Sequence, residues 1–396
     1  MPSLGIEYTQ DAKQTHFTGL PSAADVAHRN SLRDWNHMDS EVGPQEAERA
    51  RTSEIRLYSP SWIDRFTDWV DRLPLPNWAF YLAVWLLLFA AETLIHWVDG
   101  SYPLGVIYSF HLVLTGTIPY TLALMHYLDK SAESALLRFR PALDVTAAEY
   151  AELRYQLTTL PQRPTIIASL IGVGIAALAL SLAPESWSRP AVFVSSSFSV
   201  GFNIVLTVLM WWLVGAFAYH TAHQLRLVSR IYARHTRINL FRLIPLYAFS
   251  DLSARTTIGF LLALYAWYAV LPDTFDRPGN VISAVVANVI AGLIFVWPLL
   301  GIHGLLADEK ERLLAESAQR LEAAIADLHA RMDSGKLDGI ENLIKGMEGL
   351  EINHNAVSRI STWPWAAETP RGLVAALLFP LMVWLGQWLL QRILGS

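Results

Sequence analysis

The chain has 396 residues, of which 53% are hydrophobic and only 16% charged, with a formal net charge of -5. A soluble domain of this size carries about 25% charged residues, and a mildly acidic chain is a poor partner for nucleic acid. With no cysteine in the sequence, disulfides, thiolate catalysis and Cys-ligated metals are excluded.

Residues 1–60 are polar and without sustained periodicity, which reads as a disordered cytoplasmic tail. Met1 to Gln14 lacks the apolar core of a cleavable signal, so the first span is expected to act as the insertion signal. From Ser61 the pattern changes. Trp62, Phe66, Trp69, Val70 and Leu73 recur three and four apart, with Asp64, Arg65, Asp68, Asp71 and Arg72 assigned to the other face. That spacing predicts an amphipathic interfacial helix over 61–76, ended by Pro74 and Pro76.

Seven apolar segments follow, at 78–98, 104–128, 163–184, 198–223, 255–272, 281–304 and 370–392. Each approaches the ~20 helical residues that a hydrocarbon layer requires. The third is rich in small residues (Ala168, Gly172, Gly174, Ala176), as close helix packing demands. Pro298 and Pro380 are expected to kink the sixth and seventh. Several of the fifteen tryptophans sit at segment ends, in the manner of an interfacial belt.

Basic residues set the orientation. The connection after the second segment carries Lys130, Arg138, Arg140 and Arg154, and the one after the fourth carries Arg226, Arg230, Arg234, Arg237 and Arg242. The alternate connections hold only Arg189 and Arg277. The basic loops are therefore expected in the cytoplasm with the N-terminus, and the short C-terminus outside the cell membrane. Between the sixth and seventh segments, residues 305–369 read as a cytoplasmic helical layer. Leu314, Ala318, Leu321, Ile325, Leu328 and Met332 form a heptad seam, Ser334-Gly335 breaks it, and a second amphipathic stretch holds Leu337, Ile340, Ile344, Met347 and Leu350. The seam needs an apolar partner, within the chain or on a second copy. The expected fold is an all-α, polytopic membrane protein: spans one to six over 77–304, a cytoplasmic helical anchor layer, and a last span over 370–396.

Glu92 is the clearest ionisable group inside a span, with His96 one turn later on the same face. Charge at that depth must be paired or hydrated and marks a functional site by default; Glu92 and His96 are the candidate ligand-binding pair, the alternative being a hydrated structural pair. His96, His111, His126, His220 and His223 leave open a haem-binding redox reading, in which His126 and His223 share one depth and His96 approaches His111. Enzyme chemistry has little support. The lone His220-Thr-Ala-His223 pair is too few ligands for a di-iron site, no phosphate-binding loop or H-E-x-x-H occurs, and Gly172–Gly174 is a packing feature. No cofactor is expected. Asn203, Asn288 and Gln387 are polar groups on apolar segments, suited to interhelical hydrogen bonds or to a water-filled path.

The topology resembles that of the seven-transmembrane ion channel superfamily related to insect odorant and gustatory receptors. Those receptors carry Thr-Tyr, five hydrophobic residues, Gln and Phe in the last span. The corresponding stretch is Pro380, Leu381, Met382, Val383, Trp384, Leu385, Gly386, Gln387 and Trp388, which keeps the five apolar positions, the Gln and the aromatic but lacks the Thr and Tyr. The resemblance implies a homotetrameric, ligand-gated cation channel lined by the last span, with Gln387, Trp384 and Trp388 at the pore and a small-molecule ligand arriving from outside. A non-conducting sensor or scaffold acting through the cytoplasmic helices remains the alternative, and a transporter is a third; no internal repeat between the halves favours the latter.

Overall fold

The computed structural model describes residues 57–100, 102–182, 197–270, 278–335 and 338–365, together with 371, 372, 374, 375 and 378. Among these the regular structure is entirely helical: α1 (Trp62–Asp71), α2 (Asn77–Val98), α3 (Ser109–Phe139), α4 (Ala147–Thr158), α5 (Gln162–Leu182), α6 (Ser197–His235), α7 (Ala248–Val270), α8 (Pro278–Asp333) and α9 (Ile340–Ser358). Residues 1–56 of the N-terminal tail and the stretch carrying Trp384, Gln387 and Trp388 lie outside the described residues.

Among the described residues, three helices are long and apolar enough to cross a membrane: α2, the Phe198–His235 part of α6 and the Ile282–Asp333 part of α8. Their apolar side chains face outward. Only 17% of the most apolar window of α2 is buried, and Leu87 on α2, Ile171 on α5, Val205 on α6 and Val289 on α8 are all exposed. Apolar surface on this scale marks a membrane environment rather than water.

The expected segments differ from the helices at several ends. The second begins at Ser109 rather than 104, because Pro103 and Gly105 (φ 88°) hold the preceding chain in a turn. It then runs on to Phe139, and α6 runs on to His235, well past their apolar parts. These extensions, with α4, α7 and the middle of α8, enclose an apolar core of Leu128, Leu136, Phe139, Leu157, Ile231, Tyr232, Phe249 and Leu299. Phe139, Tyr232 and Phe249 form a mutual aromatic contact with centroids 4.8–5.6 Å apart, and the Tyr232 hydroxyl donates to Leu246 O at 2.8 Å. The two extensions are tied where they end: Asp144 N donates to His235 O at 3.0 Å and Arg237 N to Ala142 O at 2.8 Å. Helix α4, which the apolar pattern did not mark, starts with a capping box between Thr146 and Glu149.

The sixth segment and the seam beyond it form one unbroken helix, α8, through Pro298. Glycines at positive φ, Gly335 and Gly339, turn the chain back, and α9 runs antiparallel along α8. Lys310 Nζ donates to Ser358 O and Ile360 O, at 2.7 and 2.8 Å. Part of the seam is thus covered within the chain, while Ile325, Met332, Ile344 and Ile352 stay exposed. Past α9, Trp363 lies flat between His303 (4.0 Å) and Trp365 (4.4 Å), and fixes the segment that leads to the last apolar stretch.

Helix α1 is present as expected, but with a rotated face. Ile63, Asp64, Thr67 and Val70 are buried, and Trp69 is exposed. Asp64 is inward because its carboxylate has work there: Oδ2 accepts from Ser61 N at 2.7 Å, closing the helix N-terminus, and from Leu160 N at 3.1 Å. Asp64 itself is raised to about 6 by burial and the charge of Asp129, against the pull of the Ser61 and Leu160 bonds.

Candidate functional site

Glu92 lies in the last two turns of α2, beside Thr93 and one turn before His96. It is fully buried (0% exposed), as are His96 (1%) and His111 (2%). The three side chains converge. His96 Nε2 stands 3.3 Å from Glu92 Oε1 and His111 Nδ1 stands 2.6 Å from the same oxygen. The imidazole centroids are 4.9 Å apart. Helix periodicity explains the first contact, since residues four apart share a face. The second follows from the tight α2–α3 connection, which returns the first turn of α3 to the end of α2.

That connection is built by local geometry. Gly100 at φ 72° ends α2, and the chain doubles back so that Tyr102 N donates to His96 O at 3.1 Å. Trp97 Nε1 donates to Val106 O at 3.0 Å and steadies the far side. The Tyr102 ring then stacks on His96, at 4.3 Å and 13° between planes, and its hydroxyl bonds His111 Nε2. Burial, with Glu92 and Tyr108 nearby, pushes the Tyr102 phenol well up, so it stays protonated as a hydrogen-bonding group. From α6, Asn203 Nδ2 reaches 3.0 Å from His96 Nε2 and 3.3 Å from Ser199 O.

Neither carboxylate oxygen of Glu92 accepts an aligned hydrogen bond from a described residue. The ring nitrogens approach at ion-pair distance but off the hydrogen-bond axis. From Asn77 to Gln156, the only cationic side chains are Lys130, Arg138, Arg140 and Arg154, all beyond the apolar part of α3. A buried carboxylate in such surroundings needs a cation or a proton.

The opposite end of the bundle has its own polar layer. Asp71 accepts from Lys130 Nζ and from Asn77 Nδ2, both at 2.7 Å, and pairs with His126 Nε2 at 3.1 Å. His126 Nδ1 stands 3.0 Å from the Tyr81 hydroxyl. His220 Nε2 meets Asp129 Oδ1 at 2.8 Å, and His223 Nε2 meets Gln156 O at 3.0 Å. Partial burial disfavours the ionised form of Asp71, but the Lys130, Asn77 and His126 bonds overcome it and hold the carboxyl at about 2. The two layers are about 20 Å apart along α2, counting 1.5 Å per residue from Tyr81.

The pairing of Glu92 with His96 is where the sequence placed it. His111 joins the same cluster, whereas His126 and His223 bind separate partners. The His96 and His111 rings both turn to one carboxylate and leave no room for a porphyrin between them. Tyr102 carried no distinguishing signal in the sequence, because its role depends on the Gly100 turn. Asn203 and Asn288 act between helices, the latter accepting from Tyr265 Oη at 3.0 Å. No family model matches the chain, and neither the curated proteins nor the solved structures compared with it give a match.

Proposed function

We propose that the chain is a seven-crossing membrane receptor, N-terminus in the cytoplasm, that takes up a small cationic or proton-donating stimulus from outside at Glu92, His96 and His111. The observation that carries this reading is the fully buried Glu92 carboxylate between two imidazoles, on helices whose apolar parts carry no Lys or Arg. Asn203 connects the cluster to α6, whose extension packs into the core beneath the membrane part. A stimulus that changes the charge of Glu92 alters how α2, α3 and α6 bear on one another.

The output we propose is a gated cation conductance in a homotetramer, with Gln387, Trp384 and Trp388 along the pore, as the resemblance to the odorant-receptor-related channels implies. The exposed Ile325 and Met332 on α8 and Ile344 and Ile352 on α9 are apolar side chains suited to meeting neighbouring copies. The second reading is a non-conducting sensor that signals through the α8–α9 hairpin; it is favoured by the cover that α9 already gives α8 within one chain. The mass of the purified protein in nanodiscs separates them. A tetramer supports the channel, and bilayer recordings of wild type beside Glu92→Gln and Gln387→Ala then test the site and the pore. A monomer removes a four-fold pore and leaves the sensor.

A further inference from the structure

We infer that Glu92, His96 and His111 form a binding site for a transition-metal dication of the zinc type; this rests on the cluster being the receiving site and names what it receives. One ligand atom from each residue falls within 4.8 Å of the other two. Tetrahedral zinc with bonds of about 2.0–2.1 Å sets its ligand atoms about 3.3 Å apart. The His96–Glu92 separation already has that value at 3.3 Å, and the His111–Glu92 separation of 2.6 Å needs a modest opening.

The donor set selects the ion. Two imidazole nitrogens and one carboxylate oxygen suit zinc and its neighbours, whereas calcium and magnesium require mostly oxygen ligands. Three protein ligands leave one position open, which fits a received cation better than a closed structural centre. The charge balance agrees. Glu92 has buried oxygens without aligned donors, and the sequence places no Lys or Arg between Asn77 and Asp129 or between Ser197 and Leu225. Asp99, at the end of α2 beside the cluster, adds negative charge on the approach.

The supporting groups are also those of a metal site. Tyr102 holds the remaining nitrogen of His111, which fixes the ring so that Nδ1 faces Glu92. Asn203 contacts the His96 nitrogen that would bind the ion and also reaches Ser199 O; on binding, it turns to Ser199 alone. The ion thereby releases the α2–α6 contact, which gives the receptor a moving part.

The test uses full-length protein in nanodiscs, stripped with a chelator and then titrated with Zn²⁺ by equilibrium dialysis and with Co²⁺ by visible absorption. One Zn²⁺ per chain and a tetrahedral Co²⁺ spectrum are expected. Both should be lost in Glu92→Gln and His111→Gln and kept in His329→Gln, a remote exposed histidine. Tyr102→Phe, which retains all three ligands and the stacked ring, should weaken Zn²⁺ binding about 10- to 100-fold and keeps the proposal testable when a ligand variant does not fold. Absence of stoichiometric Zn²⁺ in wild type, or equal binding in Glu92→Gln, overturns it. Tryptophan fluorescence against pH, read in the same samples, separates the two levels of inference. A Glu92-dependent pH response without Zn²⁺ binding overturns the metal and leaves a proton-receiving site; loss of both overturns the site as well.

Discussion

Gly172 and Gly215 let the backbones of α5 and α6 approach closely. A methyl group at Gly172 would collide with Trp211 O and come within 3.0 Å of Gly215 Cα; one at Gly215 would collide with Ala168 O and come within 3.1 Å of Ser169 Cα. All these neighbours are backbone atoms, so no side chain can swing aside and the helices must separate. Overpacking of this kind costs about 1–3 kcal/mol, and rigid partners place it toward the upper end. Alanine recovers up to about 1 kcal/mol of helix propensity over glycine in water. Each of Gly172→Ala and Gly215→Ala should therefore destabilise by about 1–2 kcal/mol net. Gly174, two residues along the same helix, has open space where its Cβ would be, so Gly174→Ala should be neutral or slightly stabilising. The double variant should lose less than the sum, since helices already apart relieve the second clash. Unfolding by a denaturing detergent in mixed micelles, followed by far-UV circular dichroism, gives all four values on one scale. Equal effects at Gly172 and Gly174 would refute the packing assigned to α5 and α6.

Asp64 binds a proton at about 6 in the folded chain and at its ordinary 3.8 when unfolded. The folded state thus holds the extra proton between those values, and stability should fall as pH rises from about 4 to 6 and level off above. The gap corresponds to about 3 kcal/mol at most; in Asp64→Asn that slope should vanish from the pH profile of the unfolding midpoint, and an unchanged slope would assign it elsewhere. Trp363→Ala removes the ring between His303 and Trp365; faster amide exchange over 359–365 with the transmembrane helices unaffected is expected, and no change would deny the stack its anchoring role. Glu92→Leu eliminates a buried carboxylate and should leave stability unchanged or raise it, because a buried charge is retained for function rather than for folding. A loss above about 3 kcal/mol, the range for breaking a buried pair, would recast the cluster as structural.

How far the sequence could be read depended on the range of the signal. Apolar length located α2, α5 and α6, and helical spacing paired Glu92 with His96, because both are properties of neighbouring residues. Its limit was reached where helices continue beyond the apolar layer. Phe139 and Tyr232 stand beyond the apolar segments in sequence and are core residues in the structure, since their partners come from three helices. Asp64 was assigned to the polar face of its helix by composition, yet its capping bonds and the Leu160 amide draw it inward. His111 was set near His96 only in the haem reading, and its contact with Glu92 depends on the Gly100 turn. Tyr102 could be recognised only after that turn was known, because a positive-φ glycine decides where the following residues point.

The proposed receptor holds the Glu92–His96–His111 cluster in the membrane on the side opposite the basic connections. The chain has no cysteine of its own, so single substitutions can be labelled without background. Leu104, in the α2–α3 connection, and Ile244, before α7, are both 83% exposed. A membrane-impermeant maleimide applied to intact cells should label Leu104→Cys at once and Ile244→Cys only after permeabilisation. Labelling of both from the same side would contradict the topology and, with it, a receiving site that opens outward.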